Sequence, residues 1–355
     1  MSFRRALHET GITRSVREAH LALLRVEGRV QHRRRARPAG TPLRILAHTP
    51  GYPPAARGGA EITLHGVARA LQHRGHEVRV LVDEERGSRT LDGIEVLGND
   101  SRSRRHDLYG WCDVAVAHLR SRHRAIRLAA RHRRPFVFYV QIGGTPRNAT
   151  FGTPALTVFS SEVVRAQYPW VEHTLVLHPP IDAAEYRTTP GDAVTLVNLN
   201  AIKGAATFFA LAERLPERRF LGVRGWGTQE IPHPVPANVD IVGPVDDMRE
   251  VYGRTRVLLV PSVYEAYGRV ALEAAASGIP TLAHPSVGVQ EAMGDAAIYV
   301  DREDADGWAS AIVRLDDPSA YAERSSAARN RFDALDPDAE LDAFAAALDR
   351  VSGSG

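Results

Sequence analysis

Cysteine is almost absent from the chain: Cys112 is the single one in 355 residues. That excludes an intramolecular disulfide and a multi-cysteine metal cluster, and makes a reducing compartment the expectation. Nor does any run of about 18 apolar residues occur, so no membrane-spanning helix is expected. The chain opens on MSFRRALHETGITRSVRE, not on a basic cap followed by an apolar segment, so no secretory leader is expected either, and cytoplasm is the default location. Lysine is equally scarce, because Lys203 is the only one and the other 44 of the 45 basic residues are arginine. With 44% hydrophobic and 25% charged residues, the composition also excludes a disordered or fibrous chain.

A length of 355 residues suits two domains, each able to bury its own core. The charge is divided along the chain: residues 1–190 hold 30 basic and 17 acidic side chains, whereas residues 191–355 hold 15 and 25. Such asymmetry steers an anionic partner to the first half or holds two halves face to face, and composition does not choose between them. Residues 1–40 form a basic extension, read either as a membrane-surface or docking element or as a solvated helix. Residues 41–180 alternate strand and helix, with LRILAH, EVRVLV, VAVAH, FVFYV, LTVFS and TLVLH as short apolar runs. Two prolines in HPPID at 178–182 interrupt the rhythm and mark a linker. Residues 181–335 repeat the alternation in AVTLVNLN, RFLGVRG, VDIVG, VLLVP, IPTLAH and AIYV, with helices expected at 205–214, 246–252 and 267–276. Residues 336–355 form a C-terminal helix and tail that can cross back to the first domain. The pattern predicts an α/β protein with two parallel sheets covered on both faces.

Lys203 is the most informative residue. A lysine is a compact point charge where arginine is a broad fork, so a tight phosphate pocket can admit one and exclude the other. The strand VTLVNLN precedes it and Gly204 and a helix follow, the setting in which doubly wound sheets bind anions; a chance surface lysine is the bland alternative. The segment PSVYEAYGRVALEAAASGIP, residues 261–280, carries Glu265 in a loop, Gly268 at a helix start and Glu273 in its second turn. The amides of Gly268, Arg269 and Val270 face a phosphate there, and Glu273 is placed to accept from ribose hydroxyls. Two glutamates eight apart are otherwise an ordinary solvated pair, but Glu273 lies in the apolar run VALEAAA, where a charge needs a partner or a ligand.

These residues resemble the retaining glycosyltransferases of the GT-B fold, specifically the large family 4, over roughly residues 43–315. Glu265 and Glu273 within EAYGRVALE match the E-x7-E motif of that family, with Gly278 and Pro280 following. The resemblance implies two Rossmann-like domains with parallel sheets facing an interdomain cleft. It places Glu265 beside the donor sugar, Glu273 on the ribose and Lys203 on the diphosphate. It further implies diphosphate contacts from Gly58 and Gly59 in RGGAE, a histidine next to the donor sugar at His118, and base contacts from the main chain at Gly243 and Val245. One departure stands out: the family commonly has an arginine about five residues before the lysine, whereas this chain reads Val197-Asn198-Leu199-Asn200. Asparagines cannot supply that charge: either another arginine, Arg224 or Arg269, reaches the diphosphate, or the helix termini and Lys203 suffice, with Asn198, Asn200 and Arg224 as further donor contacts.

The implied activity is that of a retaining hexosyltransferase-type enzyme, EC 2.4 class, moving a sugar from a nucleoside-diphosphate sugar to an acceptor hydroxyl. No cofactor and no metal are expected, and Asp304-x-Asp306 and Asp336-x-Asp338 are read as helix caps. The acceptor is expected to be a small molecule or glycolipid on the first domain, with peripheral contact to an anionic inner-membrane face through the basic segment. No specific nucleic-acid partner is expected, the arginine clusters at 33–37 and 102–105 supporting nonspecific attraction only. The alternatives are a noncatalytic GT-B nucleotide-binding protein and a GT-B epimerase or phosphorylase.

Overall fold

The computed structural model describes residues 41–143 and 154–353; the basic extension expected over residues 1–40 lies outside them. The described chain forms two compact units. The first contains eight strands: β1 (Arg44–Thr49), β2 (Glu77–Val82), β3 (Ser88–Leu91), β4 (Ile94–Gly98), β5 (Val114–His118), β6 (Phe136–Val140), β7 (Leu156–Phe159) and β8 (Thr174–Val176). They lie in the order β3-β4-β2-β1-β5-β6-β7-β8. Every pairing is parallel except β3 with β4. Strands β5, β6 and β7 are buried along their whole length, which is why VAVAH and FVFYV read as continuous apolar runs without alternation. Helix Gly59–His73 lays Leu64, Val67, Ala68 and Leu71 on this sheet, one stripe at helical spacing.

The hairpin β3–β4 was not expected from the apolar runs. Its signal is the two-residue turn Asp92-Gly93, with φ of 47° and 78°. Both angles lie in the left-handed region that such a turn requires and that Asp-Gly tolerates.

The second unit has six strands: β9 (Ala193–Val197), β10 (Phe220–Val223), β11 (Val239–Val242), β12 (Thr255–Val260), β13 (Thr281–Ala283) and β14 (Ile298–Tyr299). Their order is β11-β10-β9-β12-β13-β14, all parallel. The period of two along β12 feeds two cores. Leu258 and Val260 pack with Ala271, Leu272 and Val289, while Val257 and Leu259 pack with Phe208, Phe220 and Trp308 on the other face. Helix 205–214 forms over the expected residues. Helices expected at 246–252 and 267–276 are shorter, Arg249–Tyr252 and Arg269–Ala275.

The boundary expected at 180/181 is not a single point. Ser160–Gln167 already belongs to the second unit, Tyr168–Leu177 returns to the first, and Glu340–Gly355 returns again. The first excursion is fixed by Glu291, whose carboxylate accepts from the amides of Glu162 and Val163 at 2.7 and 2.8 Å and from His178 at 2.8 Å. The second rests on helix Pro337–Val351, which places Leu341, Phe344, Ala347 and Leu348 in the core of the first sheet.

Candidate functional site

In a parallel sheet the C-terminal strand ends gather the loops that bind ligands, and in the second unit β9 and β12 are neighbours there. After β9 the chain turns through Asn198, at φ 73°, and reaches Gly204, the N-cap of helix Ala205–Arg214 at φ 90°. A side chain at Gly204 would also meet Pro261 Cγ at 2.5 Å, so glycine serves both the backbone angle and the close approach. The Asn200 carboxamide accepts from the Lys203 amide at 2.9 Å, and Arg302 donates to the Ala201 carbonyl at 2.7 Å. Held on both sides, Lys203 points its ammonium to Glu265 Oε1 at 2.5 Å, with side chains 19% and 10% exposed. The Glu265 loop is fixed in turn by Val263 donating to the Ile202 carbonyl and Ser161 donating to the Ala266 carbonyl, at 3.0 and 2.6 Å. The lysine and the first glutamate, 62 residues apart, meet at one sheet edge.

Glu273 is different. It is 4% exposed, and both carboxylate oxygens are occupied: Arg269 Nε donates at 2.6 Å and the Tyr252 hydroxyl at 2.7 Å. Burial pushes this carboxyl above its ordinary value, while the Arg269 charge and the two hydrogen bonds draw it back. The Arg269 guanidinium also donates to the Tyr186 hydroxyl at 2.7 Å and the Pro180 carbonyl at 3.3 Å. The apolar run VALEAAA therefore supplies its charge with a partner four residues earlier. The Arg269 side chain is turned inward as counter-charge to Glu273. Arg224 is exposed, and its amide donates to the Val242 carbonyl at 2.9 Å. Gly268, at φ 95°, lies against Val289, and a side chain there would meet Cγ2 at 3.2 Å. Val270 is the second residue of the helix behind it. At the end of β11, Gly243 is exposed and Val245 half-buried.

The first unit has its own C-terminal edge. His118 ends β5 fully buried, one ring nitrogen 2.6 Å from the Thr49 hydroxyl and the other 2.7 Å from the Gln141 side chain. Burial holds its pKa down at about 4, so the ring is neutral at physiological pH. The Thr49 hydroxyl already donates to the Gly51 carbonyl at 2.6 Å. Facing Nδ1 is the Gln141 Oε1 oxygen, which accepts from it, while Nε2 shares the Thr49 hydroxyl. Beside it, burial alone would raise the Asp83 carboxyl, but His48, Ser121 and the charge of Arg124 bring it down to about 2. Asn99 adds a hydrogen bond of 3.1 Å to the same carboxylate. Sequence reasoning missed this cluster, since His48, Asp83 and Ser121 sit at three separate strand ends. Gly58 is the N-cap of helix Gly59–His73 without a side-chain cap bond, and Gly59 opens on free space. Arginines 104 and 105 of the second basic cluster are engaged with Asp100 and Asn99.

The acidic pairs late in the chain serve as caps: Asp304 accepts from Gly307 N and Asp336 from Ala339 N, at 2.8 and 3.0 Å. A cavity of about 570 Å³ lies at the opposite, N-terminal end of the second sheet, lined by Asp192, Arg219, Asp240 and Arg254. Its charges are paired with one another, and no group that carries chemistry faces it.

The architecture has many solved counterparts. The Anabaena protein Alr3699/HepE, in complex with UDP-glucose, superposes with a TM-score of 0.70 at 16% identity, covering 87% of this chain and all of that one. The fold is GT-B. Residues 197–317 match the family model described as glycosyl transferases group 1, a span that contains Asn198, Lys203, Trp226, Glu265 and Glu273. The glycogen synthase of Mycobacterium tuberculosis is 26% identical over 377 aligned positions, covering 81% of this chain and 90% of that protein. A D-inositol 3-phosphate glycosyltransferase of Acidothermus cellulolyticus is 40% identical over 82 positions, 22% of this chain and 18% of that protein. The chain thus has the GT-B fold and, over residues 197–317, is similar to the glycosyl transferases group 1. Among the described residues no helix is long and apolar enough to cross a membrane.

Proposed function

We propose that this GT-B protein transfers a glycosyl group from a nucleoside-diphosphate sugar to an acceptor hydroxyl with retention of anomeric configuration. The observation that carries the reading is the Lys203–Glu265 pair, a lone lysine fixed at the sheet edge by a left-handed glycine and facing the first glutamate of the motif at 2.5 Å. In the transfer the bond from the anomeric carbon to the diphosphate oxygen breaks, and the acceptor oxygen bonds to that carbon on the same face. The acceptor proton leaves with the diphosphate. Lys203 stabilises the negative charge that develops on that diphosphate, a preorganised electrostatic role. Metal independence follows as part of the proposal, because the ammonium supplies the positive charge. Glu265, freed from Lys203 when phosphate takes the ammonium, accepts from donor-sugar hydroxyls. Glu273 has room for a ribose hydroxyl only by sharing oxygens already held by Arg269 and Tyr252. His118, neutral and bonded at both nitrogens, acts through shape and hydrogen bonding and not as a cation.

Support for a sugar nucleotide comes from the Anabaena structure, whose ligand is UDP-glucose, and from the family of the 197–317 region. The small-molecule or glycolipid acceptor, cytoplasmic location and peripheral membrane contact belong to the same proposal. The test is a screen of nucleoside-diphosphate sugars with and without chelator, followed by anomeric analysis of the product. Transfer with inversion, or transfer that chelation abolishes, sinks the mechanism. Asn198 in place of an arginine, with Arg269 turned inward, favours one second reading, a noncatalytic nucleotide-binding protein. Nucleotide binding without turnover on any donor would select it.

A further inference from the structure

The loop after β10 presents a feature that the activity above leaves unused. Trp226 is 54% exposed, yet the turn that carries it is tightly held. The Gln229 carboxamide donates to the carbonyls of Gly225, Trp226 and Gly227 at 3.3, 3.2 and 3.1 Å and accepts from the Gly225 amide at 3.2 Å. Asn200 donates to the Trp226 carbonyl at 3.2 Å, and the same Asn200 accepts from the Lys203 amide. Gly227 takes φ 80°, and a side chain at Gly225 would meet Asn198 Cγ at 2.6 Å. A rigid backbone holding a half-exposed indole beside the lysine turn is preorganised to receive a flat apolar face.

Position narrows the occupant. β10 lies between β9, which runs into the lysine turn, and β11, which is followed by Gly243. With strands about 4.8 Å apart, a ligand anchored by phosphate at Lys203 and extending toward Gly243 passes the Trp226 turn. Next to that turn, Asn198 is 4% exposed and its Nδ2 has no partner, a buried donor that a carbonyl or ring nitrogen would satisfy. The side chains that pin the turn, Gln229 and Asn200, are neutral amides. An aromatic platform with an unspent amide donor suits a planar heterocycle carrying acceptors better than a second phosphate.

We propose that Trp226 is the stacking platform for the nucleobase of the donor, a specificity-determining residue, with Asn198 Nδ2 as its hydrogen-bonding neighbour. The inference rests on the nucleoside-diphosphate reading of this edge. The test is calorimetric titration of the full chain with UDP, ADP and GDP, using wild type, Trp226→Ala, Trp226→Phe and Lys203→Ala, alongside tryptophan emission. Stacking predicts about tenfold weaker binding in Trp226→Ala, in line with the loss of a base–aromatic contact, with most of the affinity kept in Trp226→Phe. It also predicts emission quenched by ligand in wild type but not in Trp226→Phe. If Lys203→Ala weakens binding while Trp226→Ala binds like wild type, the platform is overturned and the nucleotide site stands. If Trp226→Phe loses as much as Trp226→Ala, stacking is overturned and the indole merely shapes the turn. If none of the three nucleotides binds wild type, both readings fall together.

Discussion

The C-terminal edges of the two sheets are built from similar parts and left in opposite states. In the first unit Thr49, His118 and Gln141 are buried and bonded in a row, and half-buried Asp83 is held by His48, Ser121, Asn99 and Arg124. In the second, Lys203 and Glu265 keep a path to solvent, Trp226 stands out from the surface, and Asn198 retains an unspent donor. The first edge spends most of its polar groups internally, with Gln141 Nε2 left unpaired, and is fixed in shape. The other holds its backbone with glycines and carboxamides and leaves side-chain chemistry free. Rigidity at a binding edge thus comes from the turns, while reactivity comes from what the turns carry.

The largest expected effect tests whether Glu273 belongs to the sealed kind of site despite its place in the motif. Glu273→Ala leaves the Arg269 guanidinium buried without its carboxylate and should cost about 3–5 kcal/mol of stability, read by denaturant unfolding. Glu273→Gln, which keeps an acceptor, should cost less, and equal melting of all three proteins would break the contrast.

Next in size is acid lability at the first edge. Burial holds His118 near 4, down from the ordinary histidine value of 6.5, so the unfolded chain binds a proton that the folded one refuses. Stability from this group is complete above pH 6.5 and is lost as the pH falls toward 4, by roughly 3 kcal/mol at 1.36 kcal/mol per unit. The slope over that window should shrink in His118→Gln. Asp83, held at about 2, loses its contribution only below the ordinary carboxylate value, so its variant Asp83→Asn should leave the pH 4–6.5 window unchanged.

Gly204→Ala forces a side chain into the left-handed region at a cost of about 1–2 kcal/mol and pushes on Pro261. It should lower both melting temperature and nucleotide affinity. Lys203→Ala sharpens the comparison from the other side, with a loss of about tenfold in nucleoside-diphosphate affinity, about 1.4 kcal/mol, and little change in melting temperature. A variant that melts early but binds normally would place Lys203 among structural residues.

Much of this was legible in the residues themselves. The lone lysine before Gly204, the glutamate pair and helix 205–214 declare themselves through charge, spacing and period. Less visible was how the charges are spent. Arg269 and Glu273 are four apart on a helix and could have been paired by spacing alone, yet the motif directed attention to a ligand. Trp226 was passed over because a Gly-Trp-Gly turn carries no charge, and its support comes from Gln229 and Asn200 on separate loops. The cluster around Asp83 was out of reach, since a parallel sheet brings His48, Asp83 and Ser121 together across tens of residues.

Helix Pro337–Val351 sets the order in which the protein can be finished. The first unit uses Leu341, Phe344, Ala347 and Leu348 as part of its interior, and these residues are synthesised after all of the second unit. On the ribosome, the second unit can close its core while the first still waits for one wall. The earlier half of the chain is therefore the later half to mature, and a premature stop before residue 340 would leave its oily face open while the lysine-bearing edge is already formed.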